Sequence, residues 1–149
     1  MISEADILKN LRKVCLAQPD AEETISFGHP TFRLRGGKIV AVLETYKGEL
    51  GICVNVGKLL QGIFLDDPRF FRTPYIGKHG WVTLRAYAAP LDWKEIRELV
   101  GGSYLLAAPA TAKNRVSETA LAGYEPCRLF VVCVGFAFRR GDCLSQVPG

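Results

Sequence analysis

Apolar residues return every three to four positions near the start of the chain. Ile7, Leu8, Leu11, Val14 and Cys15 share one stripe, while Lys9, Asn10, Arg12 and Lys13 lie on the other side. That spacing predicts an amphipathic helix. Ser3 stands before it as an N-cap, with Asp6 in the capping-box position. Pro19 ends it, because the residue before a proline is biased away from helical geometry. The period then shortens to two. Thr31-Phe32-Arg33-Leu34-Arg35 alternates apolar and basic residues, so Phe32 and Leu34 face a core and Arg33 and Arg35 the opposite side. Gly36-Gly37 follows, and then Lys38-Ile39-Val40-Ala41-Val42-Leu43-Glu44. Glycines tolerate the positive φ of a tight primed turn, which predicts a two-residue hairpin.

Tyr46-Lys47-Gly48 makes the next turn, and residues 49–56 a third strand. A short helix is expected over 58–65, closed by Asp66-Asp67-Pro68. A short strand follows over 69–72, then a loop over 73–80 and a strand over 81–87. Asp92 caps a last helix, with Glu95 three residues on and a buried stripe of Trp93, Ile96, Leu99, Val100 and Tyr104. Gly101 and Gly102 should weaken its middle by roughly 1 kcal/mol each against alanine. The expected order is α-β-β-β-α-β-β-α. Consecutive strands joined by short turns imply an α+β fold with an antiparallel sheet. Its first and last helices would cover one face, leaving Arg33, Arg35 and other polar residues on the other.

After Pro109 the character changes. Residues 110–122 are small and polar, 124–140 are apolar with interleaved glycine and cysteine, and the composition of 141–149 suggests disorder. The expected organisation is one domain over 1–110 and a C-terminal extension over 111–149. Within the extension, 129–138 reads either as an added strand or as a poorly ordered tail. A Phe- and Val-rich strand left at an open edge is an aggregation hazard, so it should be paired with something.

Composition narrows the class. The chain has 149 residues, 48% apolar and 23% charged, which is ordinary for a globular protein. A domain of this size buries roughly 68–70% of its unfolded surface and needs no disulfide or metal to hold together. The net charge of +4, from 19 Lys and Arg against 15 Asp and Glu, permits a nucleic-acid partner without requiring one. The five cysteines form no Cys-x-x-Cys pair. Cys15 and Cys53 read as small core residues in a reducing compartment. The acidic start lacks the apolar region of a signal peptide, and the longest apolar run is about half a membrane span. A cytoplasmic protein with no membrane partner is expected.

Little points to catalysis. The only histidines are His29 and His79, and neither sits in a zinc-binding motif. His29, in a turn before Pro30, reads first as a backbone-bonded turn residue. His79, in a Gly-rich loop beside Lys78, is the better candidate for surface recognition. Glu22-Glu23 and Asp66-Asp67 are adjacent pairs, which point apart where acid–base work needs convergence. Glu22-Glu23 is expected to be solvated, and Asp66-Asp67 to form a turn. Neither a nucleophile elbow nor a P-loop is present. The chain is therefore expected not to be an enzyme and to carry no cofactor or metal.

Basic residues on hairpins remain. Arg33, Arg35 and Lys38 lie on or beside the first hairpin, and Lys47 at the next turn. Arg72, Lys78 and Arg85 flank the loop that carries Tyr75 and His79. On one side of the molecule they could track phosphates, with Tyr75 or His79 stacking or reaching a groove. The alternative is an ordinary charged surface, interrupted by Glu44 and Glu49.

Several segments in order resemble the MmcQ/YjbR-like family, along roughly residues 8–109. They are Pro19-Asp20-Ala21-Glu22-Glu23, Phe27-Gly28-His29-Pro30-Thr31-Phe32-Arg33 and Gly37-Lys38. Further on come Asp67-Pro68-Arg69-Phe70-Phe71, Pro74-Tyr75-Ile76-Gly77, Gly80-Trp81-Val82, Trp93 and Ser103-Tyr104-Leu105-Leu106-Ala107-Ala108-Pro109. The resemblance implies a secretion-chaperone-like α+β fold and a "double wing" DNA-binding protein. The wings would be the 33–38 hairpin and the segment around 78–85. Leu105 and Ala110 stand where the family often carries basic residues. Two other readings stay open. One is a protein-interaction module, through the sheet or through self-association by the extension. The other is a small-molecule site around Tyr75, His79 and Trp81.

Overall fold

The computed structural model describes residues 2–109. The chain runs through α1 (Glu4–Leu16), β1 (Ala21–Ser26), β2 (His29–Leu34), β3 (Ile39–Tyr46) and β4 (Glu49–Asn55). It continues with α2 (Lys58–Leu65), β5 (Phe70–Arg72), a 3-10 turn (Gly77–His79), β6 (Trp81–Arg85) and α3 (Trp93–Ala107). The six strands form one antiparallel sheet in the order β1-β2-β3-β4-β6-β5. This is the expected α+β fold with the expected order of elements, extended by one strand, β1, on the edge. Residues 21–26 lack an alternating apolar pattern, so the strand is held by its partner and not by burial. It pairs with β2 along its whole length. The extension over 111–149, with its candidate strand over 129–138, lies outside the described residues.

α1 forms where its stripe predicts. Ser3 Oγ accepts a hydrogen bond from Asp6 N at 3.1 Å and donates to Asp6 Oδ2 at 2.6 Å, while Ile7, Leu11, Val14 and Cys15 are buried. α3 packs over β3 and β4 in the middle of the sheet, α1 packs over β1 and β3 and against α3, and α2 covers β5 and β6. Strand alternation sends Phe32, Leu43, Ile52, Val54, Val82 and Leu84 into this layer. There they meet Ile96, Val100 and Tyr104 of α3. Phe64 of α2 meets Phe70 of β5 edge-on, with ring centroids 5.3 Å apart.

Two expectations are corrected. The β2–β3 connection is a three-residue loop. Leu34 N donates to Lys38 O at 3.0 Å and Gly37 N to Leu34 O at 2.8 Å, leaving Arg35, Gly36 and Gly37 as the loop. Gly36 supplies a positive φ of 66° at the third position of the turn that Gly37 N closes on Leu34 O, the position at which a type II turn favours glycine. The register shifts between Phe32 and Arg33, so Val40 becomes an extra residue on β3. Ser103 Oγ of α3 donates to the Val40 carbonyl at 2.5 Å and accepts from Asn55 N at 3.1 Å. The second correction concerns Glu23, which is partnered and not simply solvated. Alternation along β1 turns Glu23 toward α1, where Arg12 grips it with two bonds of 2.7 and 2.9 Å. Glu22 turns the other way and lies 3.9 Å from Arg35.

The opposite face of the sheet is not covered by α1, α2 or α3. Thr24, Thr31, Val42, Cys53, Thr83 and Phe71 line up across all six strands. The Cys53 thiol donates to Glu44 Oε1 at 3.1 Å and lies 3.3 Å from Thr83 Oγ1, which is 2.9 Å from Thr73 Oγ1. Burial pushes the Cys53 thiol far above its ordinary pKa, and does the same to Cys15 on the inner side of α1.

Candidate nucleic-acid interface

The antiparallel order decides which basic residues meet. β2, β4 and β5 finish, and β3 and β6 begin, at the same end of the sheet. The β2–β3 loop and the β5–β6 loop therefore project from that end together. β3 and β6 are separated by β4 alone, so the two projections spring from strands about 10 Å apart.

The β2–β3 loop brings Arg35 and Lys38. Arg35 keeps 80% of its side chain exposed, and its N–H donates to Asp20 O at 2.8 Å, tying the loop to the start of β1. Lys38 is exposed at the root of β3. Arg33 is half-buried and braces the hairpin, with Nη2 donating to Gly37 O at 3.0 Å. It acts as part of the support more than as a free cation.

The β5–β6 loop brings Arg72, Tyr75, Lys78 and His79, all exposed. The Arg72 side chain lies over Gly77, where a Cβ would come within 2.5 Å of Arg72 Cγ. The loop is fastened from inside. Gln61 of α2 is buried, and its Nε2 donates to Gly77 O at 2.6 Å and Trp81 O at 2.9 Å. Gly80, at φ 95°, presses against the turn into α2; a Cβ there would lie 2.6 Å from Gly57 C and 2.7 Å from Lys58 N. This contact brings the exposed Lys58 to the same end, a cation that sequence reading passed over as a helix start. Gln61 had no signal beyond a polar residue on an otherwise apolar turn.

Two expected residues lie elsewhere. Lys47 sits on the β3–β4 turn and Arg85 finishes β6, both at the opposite end of the sheet. Arg85 is engaged there. It bonds Glu49 and lies 4.8 Å from the Phe71 ring centroid. Phe71 in turn stacks with Tyr46 at 6.5 Å, and Lys47 lies 5.5 Å from the Tyr46 centroid. His29 opens β2 opposite Ser26, and its carbonyl accepts from Thr31 Oγ1 at 3.1 Å. Trp81 is buried while Tyr75 and His79 face solvent, so these three do not share one environment.

Among the described residues no three His, Cys, Asp or Glu side chains gather as a metal ion would need, and no helix is long and apolar enough to cross a membrane. The family model described as YjbR matches residues 16–106. No curated protein matches the chain. A crystal structure of a protein from Pseudomonas syringae is similar in fold, with a TM-score of 0.58 at 19% identity, covering 72% of this chain and 100% of that one.

Proposed function

The chain belongs to the YjbR family, and we propose that it binds DNA through the two basic projections at one end of its sheet, acting by binding and not by catalysis. The observation that carries this reading is their convergence. Arg35 and Lys38 on one loop and Arg72, Lys78 and His79 on the other stand exposed on neighbouring parts of one end, with Lys58 beside them. Phosphate charges recur every few ångströms along DNA, so both loops can engage one stretch of backbone. Backbone contact of this kind positions the protein without selecting a sequence. A working location in the cytoplasm fits this role.

Fluorescence anisotropy with a short labelled duplex, across a salt series, tests it. The four Lys and Arg side chains of the two projections, Arg35, Lys38, Arg72 and Lys78, give an expected log–log salt slope of roughly −3 to −4, at about −0.9 per phosphate, and Lys58 would add one more. Replacing Lys38 and Lys78 together with alanine should make that slope shallower by roughly 2. Absence of binding at the lowest salt would sink the reading. A second reading, a protein-interaction module, is favoured by one observation: Ile25 and Phe27 are 67% and 101% exposed beside the edge strand β1. It predicts no salt-dependent DNA binding and loss of partner binding in Phe27→Ser.

A further inference from the structure

Tyr75 stands on the β5–β6 loop with 93% of its surface exposed. Its φ is 63°. Across it, Ile76 N donates to Pro74 O at 2.7 Å. A three-residue turn closed this way around a residue of positive φ is the rare, strained form of the γ-turn. Glycine would hold the same backbone without that strain. Packing does not explain the tyrosine either, since its ring is left in water.

The rest of the loop holds the ring out. Gly77 N donates to Thr73 O at 2.9 Å, His79 N to Ile76 O at 2.9 Å and Gly80 N to Gly77 O at 3.1 Å. Gln61 fixes the Gly77 and Trp81 carbonyls from the α2 side. The result is an aromatic ring on a braced turn, with Arg72, Lys78 and His79 on the same loop. Strain kept at an exposed position by its surroundings points toward a function. The chemistry that fits is a nucleobase. Every base offers a π face, and cations next to the ring meet the phosphates on either side. In a closed duplex those faces are covered by the neighbouring bases, so the ring can take only an unpaired one.

We infer that Tyr75 is a stacking post for an unpaired base, so that this end of the protein takes single-stranded or locally opened DNA in preference to closed duplex. This rests on the DNA reading above and adds to it the form of the ligand. The experiment compares a labelled oligo-thymidine strand with a closed duplex of equal length, using the full chain and three variants. Tyr75→Leu should weaken strand binding about 10-fold or more, the scale of one lost stacking contact, and leave duplex binding within about two-fold. Tyr75→Phe should keep strand affinity, since the ring remains. Tyr75→Gly should lose strand affinity while its thermal midpoint rises by about 2 °C or more, because the strain is relieved. That rise separates a lost contact from a damaged fold. Equal losses of strand and duplex binding in Tyr75→Leu, or no loss of either, would overturn the inference while leaving the basic projections in place. A native protein that binds neither ligand would remove both readings together.

Discussion

At the scale of single residues, the same substitution should act in opposite directions at two glycines. Gly80 combines φ 95° with backbone atoms of Gly57 and Lys58 within 2.8 Å of where a Cβ would stand. Neither main chain can yield without moving the β5–β6 loop or the start of α2. Gly80→Ala should therefore cost about 3 kcal/mol, from a strained φ and an overpacked contact together. Gly101, in α3, has nothing within 4 Å of its missing Cβ. Gly101→Ala should raise stability by roughly 0.5–1 kcal/mol through helix propensity alone. Urea denaturation of the two variants checks both signs. The sequence shows the second case and hides the first. A glycine inside a helical stripe is visible as a weak point in one dimension. That Gly80 meets Gly57 depends on two segments 23 positions apart, which no local pattern records. Ser103 is alike in this respect, a small polar residue on a helix whose partners are Val40 and Asn55.

At the scale of elements, β5 is too short to hold itself, and a charged clamp fastens its start. Arg69 donates to Asp67 at 2.7–3.2 Å and to Glu95 of α3 at 2.9 and 3.0 Å. Glu95 thus leaves the capping role its spacing suggested, and Asp92 alone caps α3 through Lys94 N at 2.9 Å. The Arg69 side-chain bond holds the Asp67 carboxyl below its ordinary value of 3.8, with the Arg69 backbone N–H adding to the effect. A depressed carboxylate adds stability above its unfolded pKa and loses it as pH falls through the folded one. Arg69→Gln should cost about 1–2 kcal/mol at pH 7, since three partly exposed charges are involved. The gap between native and variant should stay level down to about pH 5 and shrink below about 4. Denaturation midpoints at pH 7 and 3 measure it; a gap that stays level or widens in acid would show that Asp67 is not a participant. The helices α1 and α3 were legible in the sequence because burial repeats along them, and β3 and β4 because apolar runs lie between clear turn signals. β1 was not, since its residues depend on β2 and Arg12. The three-residue β2–β3 loop was missed for a related reason: its register follows from the bulge at Val40 and not from the two glycines alone.

At the scale of the whole molecule, the sheet gives the protein two ends with different chemistry, and this separates the nine residues that the sequence grouped as one interface. Seven belong to the end carrying the projections, Arg33 as a brace and the others exposed, while Lys47 and Arg85 lie at the far end. Eight residues of β3 span the gap, which at strand rise is about 27 Å. The Debye length in physiological salt is about 8 Å. A charge at the far end is therefore screened from a ligand held at the near one. Lys47→Glu should change DNA affinity by less than about two-fold, while Lys78→Glu should weaken it about 10-fold or more at low salt. Arg85→Ala should act on stability instead, by about 1 kcal/mol, through the lost ring contact with Phe71 and the bond to Glu49. Its salt slope should match the native one. Anisotropy titrations of the three variants on one strand decide between two geometries. Equal losses for Lys47→Glu and Lys78→Glu would mean that DNA runs from end to end along the face away from the helices, past Tyr46 and Phe71, and that the ends do not act separately. A loss confined to Lys78→Glu keeps the ligand at the projections, where Tyr75 can reach it.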